Sequence, residues 1–187
     1  MQEIVRARVQ ESIEIKQMIL QSEDMLEKIS NAALMIKKSF ETGGKVLLCG
    51  NGGSASDALH LAGEFVGRFQ KERNALPAYA LNADVATMTA IANDYGYEEV
   101  FSRTVEGLLN KDDILIGIST SGNSENVYRA IEKANEMGGK TIAFLGKDGG
   151  KIKDIANLSL VVSGECTARI QEAHIMIGHI ICELVEG

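Results

Sequence analysis

Residues 45–56 have the sequence KVLLCGNGGSAS, an apolar run followed by a cluster of glycines and serines. Neither face of the run Lys45–Cys49 is polar, as expected for a strand buried inside a parallel sheet. The glycines allow a sharp turn and a close backbone approach to a ligand, and a helical pattern begins at about Ser56. A strand, a tight loop and a helix in this order are typical of an α/β fold.

The same unit recurs through the rest of the chain. Four further apolar runs predict strands, and they lie at Ala78–Leu81, Ile114–Ile118, Thr141–Leu145 and Leu158–Val162. Helical patterns alternate with them near Ser56–Phe69, Val85–Ala92, Ser124–Met137 and Thr167–Val185. The alternation predicts a doubly wound, five-stranded parallel sheet flanked by helices.

The first 42 residues differ from this pattern, because they contain helical periodicity alone. Apolar residues recur at spacings of three and four from Ile4 to about Thr42, where Gly43 and Gly44 end the pattern. Ser22 and Asp24 suggest a break into two helices, with Asp24 or a neighbour as the cap. We expect residues 1–187 to form one domain, in which the hairpin 1–42 packs on the core and at a subunit interface.

Composition excludes several classes of protein. The 187 residues carry a formal charge of −7 and no dense run of Lys or Arg, which argues against a nucleic-acid partner. No apolar stretch approaches the roughly 20 residues needed to cross a bilayer, so no membrane partner is expected. Three cysteines form no metal-type pair and follow no secretory signal. These features predict a cytoplasmic protein.

Two loops have the composition of a phosphate site. Gly50–Ser56 and Ser119–Ser124 each follow a predicted strand and open a helix, where ligands of parallel sheets bind. The second loop carries four hydroxyls that can donate to phosphate oxygens, and Ser124 is also a candidate helix cap. Neither loop matches a mononucleotide or dinucleotide motif. For the first loop in particular, ordinary turn and cap chemistry remains an alternative explanation.

The three histidines are the candidate proton-transfer groups. His60 precedes Glu64 by four residues, so their side chains share a helix face, although such pairs are also common on solvated faces. Gln171 and His179 are separated by roughly 12 Å of helix, so they meet only on a centre between them or where other chains approach. His174 points away from His179 and is expected to be structural. A carboxylate and an imidazole suit sugar isomerisation, in which a base takes a proton beside a carbonyl.

At this point the sequence resembles a known family. The motifs CGNGGSASDALHLAGEF, AIANDYG, GISTSGNSENV, GKDGG and ARIQEAHIMIGH occur in this order over most of the chain. They are similar to those of sugar isomerase (SIS) domain proteins, and specifically of the phosphoheptose isomerase family. The resemblance implies conversion of D-sedoheptulose 7-phosphate to D-glycero-D-manno-heptose 7-phosphate, for heptose and lipopolysaccharide biosynthesis, by a homotetramer whose active sites lie between subunits.

The resemblance also implies roles for individual residues. Glu64 is the implied general base and His179 the implied general acid. One zinc ion per subunit is implied at His60, Glu64, Gln171 and His179. The implied substrate-binding positions are Asn51, Gly52, Gly53, Glu64, Asn93, Asp94, Ser119, Thr120, Ser121, Ser124 and Gln171. Gly63 is acidic in some members, a difference that affects the surroundings of the base but not the base itself.

Three other interpretations remain open at this stage. One is a noncatalytic regulator of the same fold that binds a replication initiator; such proteins lack the equivalents of Glu64 and His179, both of which are present here. A second is a sugar-phosphate-sensing module, which usually adjoins a further domain. The third is an isomerase of a pentose or hexose phosphate, which differs only in the length of its pocket.

Overall fold

A single parallel sheet organises the chain. The computed structural model describes all residues 1–187. Its strands are β1 (Val46–Gly50), β2 (Ala78–Ala80), β3 (Ile114–Ser119), β4 (Lys140–Gly146) and β5 (Leu158–Val162). They are all parallel, in the order β2-β1-β3-β4-β5. The predicted fold class is confirmed, and the strand order reverses between β1 and β3, where a doubly wound sheet opens a crevice for a ligand.

Seven α-helices surround the sheet. They are α1 (Gln2–Gln21), α2 (Glu23–Glu41), α3 (Gly53–Val66), α4 (Val85–Tyr95), α5 (Val100–Leu108), α6 (Glu125–Glu136) and α7 (Thr167–Glu186). The sequence patterns did not predict α5, and α3 begins three residues before the predicted start at Ser56. None of the helices is both long enough and apolar enough to span a bilayer.

Each face of the sheet has its own core, as the predominantly apolar strands require. Leu48 points into the larger core, which contains Ile36 of α2, Phe65 of α3 and Ile177 of α7. Leu47 points to the opposite face and packs with residues of α5 and α6. Helices α1, α2, α3 and α7 therefore cover one face, and α5 and α6 cover the other.

The N-terminal helices are joined at Ser22. Its hydroxyl accepts a hydrogen bond from Met25 N at 3.2 Å, so Ser22 caps α2, as the predicted break suggested. Ile15 and Ile19 near the end of α1 are buried against the larger core, while Ile4 and Val9 near its start are more than half exposed. The outer half of α1 thus offers apolar surface that this chain does not cover.

His174 is a structural residue, in agreement with the expectation from the helical period. Its ring is fully buried in α7, and Nε2 lies 3.0 Å from the Leu145 carbonyl at the end of β4. Nδ1 is buried without a partner. Burial lowers the pKa of His174 to about 4, against a smaller opposing effect of the bond to Leu145.

Acid should therefore destabilise the fold through His174. A buried imidazole whose pKa is depressed from 6.5 to about 4 favours the neutral form, so its contribution is complete above pH 6.5 and is lost as the pH falls towards 4. The loss should reach about 3 kcal/mol of unfolding free energy. Urea unfolding of the wild type and of His174→Gln across this range measures it; an equally steep dependence in the variant would contradict the assignment.

Candidate active site

The two glycine- and serine-rich loops meet at the crevice between β1 and β3. Asn51 in the first loop and Asn126 in α6 exchange two amide hydrogen bonds, of 2.8 and 2.9 Å. Tyr97 donates a further bond of 2.9 Å to the Asn51 side-chain oxygen. One N–H of the Asn51 amide then remains for a ligand. Asn126 and Tyr97 were not predicted, because nothing in their local sequence indicates a contact with the first loop.

The hydroxyls of the second loop form a connected cluster. The Ser119 hydroxyl lies 2.9 Å from that of Ser124 and 3.4 Å from that of Ser121. Ser124 occupies the N-cap position of α6, but its side chain makes no capping bond, so the expectation that it caps the helix was wrong. Its hydroxyl is drawn into the cluster instead. These hydroxyls, with the partly buried Thr120 beside them, lie at a helix N-terminus, which favours an anion.

Gly122 locks this loop against the GKDGG segment. It has a φ of +66°, and a Cβ at this position would overlap the Gly149 carbonyl oxygen. Ile152 N donates to the Gly122 carbonyl at 3.1 Å, and Lys151 N donates to the Asn123 side chain at 3.1 Å. The conformation of the loop Ser119–Ser124, which we call the hydroxyl loop, therefore depends on a glycine at position 122.

Gly122→Ala is expected to destabilise the protein by about 2–4 kcal/mol. Alanine is strained at this positive φ, and its methyl group would overlap the Gly149 carbonyl. Gly138→Ala is the matched control, since Gly138 has a similar φ of +80° but open space around its Cβ position. The control should lose only about 1 kcal/mol. Denaturant titration compares the two, and equal losses would show that the contact with Gly149 is unimportant.

Three polar side chains converge where α3 meets α7. His60 Nε2 lies 2.9 Å from Glu64 Oε1 and 3.2 Å from His179 Nε2. The helices approach closely at Gly178, where a Cβ would lie 2.6 Å from a methyl carbon of Leu61 and would displace that side chain. The chain itself thus brings His179 to the His60–Glu64 pair. For these three residues no neighbouring subunit is needed.

Other residues singled out in the sequence have their recorded contacts outside this group. The Gln171 amide packs on the first loop, where its Nε2 would be 2.5 Å from a Cβ at Gly53. Gly52 has a φ of +56° and open space around its Cβ position, so its backbone is accessible to a ligand. Asn93 and Asp94, at the end of α4, are exposed and hydrogen bonded to each other at 2.8 Å.

The histidine and glutamate side chains have the chemistry of a metal site. One ligand atom from each of His60, Glu64 and His179 lies within 4.8 Å of the other two. Two imidazole nitrogens and a carboxylate oxygen suit a zinc ion, whose ligand atoms in a tetrahedral site lie about 3.3 Å apart. The separation of 3.2 Å between the two imidazole nitrogens agrees with that spacing. The residues present therefore fit such an ion.

Asp57 is a further polar residue that the sequence did not single out. It precedes His60 by three residues on α3, and its Oδ2 is buried without a hydrogen-bond partner. Burial raises the pKa of Asp57 to about 6, although the neighbouring His60 opposes the shift. The sequence could have indicated Asp57, because it lies one helical turn before His60 in the segment DALHLAGE.

Comparisons with known proteins point to one family. A family model described as the SIS domain matches residues 11–146. The phosphoheptose isomerase of Clostridium acetobutylicum is 50% identical over 186 residues, which cover 100% of this chain and 95% of that protein. The phosphoheptose isomerase of Nitratiruptor sp. is 56% identical over 164 residues, covering 88% of each chain.

Solved structures lead to the same family. The phosphoheptose isomerase GmhA of Neisseria gonorrhoeae superposes with a TM-score of 0.93 at 42% identity, over 99% of this chain and 98% of that one. The phosphoheptose isomerase of Francisella tularensis gives 0.93 at 38% identity, over 98% and 96%. These relatives are isomerases, so the interpretation as a noncatalytic regulator is not favoured. The chain belongs to the SIS-domain family and, within it, to the phosphoheptose isomerases.

Proposed function

We propose that this chain converts D-sedoheptulose 7-phosphate to D-glycero-D-manno-heptose 7-phosphate, a step towards the heptose of lipopolysaccharide. The observation that carries the proposal is the convergence of Glu64, His60 and His179 within 4.8 Å of one another, in a fold that also presents a cluster of hydroxyls at a helix N-terminus. One group of residues provides proton transfer and the other provides phosphate binding. That the sugar is a heptose is inferred from the names of the relatives.

Glu64 is proposed as the base and His179 as the acid. The Glu64 side chain is 24% exposed, so it is partly withdrawn from water while its carboxylate remains accessible to a substrate. It would remove a proton from C1 of the ketose, and the electron pair would move towards the C2 oxygen. His179 would donate a proton to that oxygen as the enediol forms. Glu64 then returns its proton to C2 while the C1 hydroxyl gives up its proton to His179, which leaves a C1 aldehyde and restores both groups.

Phosphate binding is proposed at the hydroxyls of Ser119, Thr120, Ser121 and Ser124. Ser124 is the most informative of these, because its hydroxyl is free of a capping role and bonds only to Ser119, at 2.9 Å. The backbone at Gly52 and Gly53, the free N–H of Asn51 and the Gln171 amide are proposed to contact the remainder of the substrate.

Ser124→Ala should raise KM for the sugar phosphate about tenfold and change kcat little. The reason is that a hydrogen bond to a charged group contributes about 1.5–3 kcal/mol to binding. Ser30→Ala is the control, because the Ser30 hydroxyl bonds only to the Leu26 carbonyl of its own helix. Initial-rate kinetics on both variants give the comparison, and an unchanged KM in Ser124→Ala would place the phosphate elsewhere.

The proposed metal is one zinc ion per subunit. His60, Glu64 and His179 would hold it, each through one ligand atom. The second carboxylate oxygen of Glu64 and the second ring nitrogen of His179 would then remain for proton transfer. Gln171 is the proposed fourth ligand by resemblance to the family. When bound, the ion would supply Lewis-acid polarisation of the substrate carbonyl. The amide oxygen of Gln171 is a weaker ligand than the other three groups, so we expect its replacement to reduce zinc affinity least.

A homotetramer built from single-domain chains is the proposed assembly. The outer half of α1 is apolar and exposed, and the apolar helix α4 has no buried residue within this chain. Both surfaces are expected to pack against other subunits. Asn93 and Asp94, at the end of α4, would then lie near a site shared between subunits. A reducing compartment such as the cytoplasm agrees with three cysteines that form no disulfide.

The proposal is tested with purified protein, D-sedoheptulose 7-phosphate, and a chelator followed by added zinc. We expect aldoheptose phosphate to form, to disappear with the chelator and to return with zinc. If chelation does not affect product formation, the chain is still an isomerase but its mechanism does not use the ion. If the folded, zinc-loaded protein acts only on a pentose or hexose phosphate, the assignment of the heptose substrate is wrong.

A further inference from the structure

The segment that follows α3 is fixed by the last helix of the chain. The Glu186 carboxylate accepts three consecutive backbone N–H bonds, from Phe69 at 2.6 Å, Gln70 at 2.8 Å and Lys71 at 3.0 Å. It also accepts a bond of 3.0 Å from Arg73 Nε. Only 2% of the Glu186 side chain is exposed. One carboxylate thus organises residues 69–73, which we call the anchored segment.

Arg73 connects this segment to the end of the catalytic helix α3. Its guanidinium donates to the Glu64 carbonyl and the Phe65 carbonyl, each at 2.8 Å. These carbonyls lie in the last turn of α3, where helical partners are absent. Burial raises the pKa of Glu186, but the three N–H donors and Arg73 outweigh it and lower the pKa to about 2. The anchor is therefore charged at any working pH.

The anchored segment places an aromatic ring on His179. The Phe69 ring stacks on the imidazole with centroids 5.4 Å apart and an interplanar angle of 30°. The His60 ring lies near the same imidazole, with a centroid distance of 5.0 Å. His179 is therefore bordered by two rings, and rotation about its side-chain torsions requires displacing one of them.

We propose that Phe69 is a positioning residue for His179, and that Glu186 holds Phe69 in place through the backbone of the anchored segment. This inference rests on the proposed role of His179 in proton transfer. Phe69 does not take part in the chemistry. Its flat face restricts the imidazole to an orientation in which Nε2 points towards His60 and Glu64, and small errors in such placement reduce turnover strongly.

Phe69→Leu tests the stack while keeping an apolar side chain. We expect kcat to fall about tenfold and KM to stay within about twofold, in assays with saturating zinc. Phe69→Tyr keeps the flat ring and should restore most of kcat. Phe40→Leu is the matched control, since Phe40 contacts Phe65 edge-on at 5.7 Å in the same core and should keep full activity.

Glu186→Gln tests the anchor and provides a second variant if Phe69→Leu does not fold. The amide keeps the shape but loses the charge shared among four donors. We expect faster hydrogen exchange at the amides of Phe69, Gln70 and Lys71, together with a fall in kcat like that of Phe69→Leu. Exchange reports on the anchor independently of activity.

Several results would overturn the inference. They are an unchanged kcat in Phe69→Leu, a rise in KM alone, an equal loss of activity in Phe69→Tyr, or a loss of activity in the Phe40→Leu control as large as that in Phe69→Leu. Unchanged hydrogen exchange at these amides in Glu186→Gln would show that Glu186 does not anchor the segment. A folded wild-type protein without isomerase activity would instead reject the proposed function, so the two failures are distinguishable.

Discussion

Glu64→Gln is expected to lower kcat by about 10²–10⁴-fold while KM changes little, because a positioned base contributes that factor. The glutamine amide has nearly the shape of the carboxylate and can keep the contact with His60, which measures 2.9 Å in the structure. It cannot accept the substrate proton. The loss should therefore appear in turnover, and the hydroxyl cluster that binds phosphate should be unaffected.

Glu183→Gln is the matched control for this prediction. Glu183 is an exposed residue of α7, one turn after His179, so the same change there removes a charge near the site without removing the base. Bound zinc is measured in both variants, since Glu64 is also a proposed ligand. Full turnover by Glu64→Gln would show that another group takes the proton.

His179→Gln is expected to lower kcat by about 10²-fold or more, since it removes the proposed acid at the enediol oxygen. The imidazole is the only group of the site contributed by α7 that lies within hydrogen-bond distance of His60, at 3.2 Å. Glutamine can donate a hydrogen bond from its amide but cannot transfer that proton. Substrate binding should persist, because the hydroxyl loop lies after β3.

The other histidine of the same helix provides the control. His174→Gln should keep nearly full kcat at about pH 8, where the neutral imidazole of the wild type contributes no titration. Its ring is buried and contacts Leu145, away from the group formed by His60 and Glu64. Equal losses in the two variants would indicate damage to α7 rather than loss of an acid.

Local sequence pattern predicted most of the fold and part of the site. The strands were recognisable because each is a short apolar run that ends at glycine, serine or a turn, and the His60–Glu64 pair because helix spacing places it on one face. Helix α5 was missed, although Val100, Phe101 and Val105 are buried along it. A 3₁₀ turn, Tyr97–Glu99, leads directly into α5, and the sequence there gives no clear signal that a helix begins.

Contacts between distant segments could not be predicted in this way. The meeting of His60 with His179 depends on Gly178 packing against Leu61, which neither helix reveals by itself. The Asn51–Asn126 pair and the Glu186 anchor likewise join residues that are 75 and more than 110 positions apart. Such contacts follow from the packing of α3, α6 and α7 around the sheet, and periodicity within one element does not encode them.

The most direct test of the account is isomerisation in D₂O, followed by NMR of the aldose product. The account assigns proton transfer to Glu64, which is partly exposed and therefore able to exchange its proton with solvent. It predicts D-glycero-D-manno-heptose 7-phosphate that carries deuterium at C2. Failure of the folded, zinc-loaded protein to form this aldose, or an aldose with only protium at C2, would contradict it.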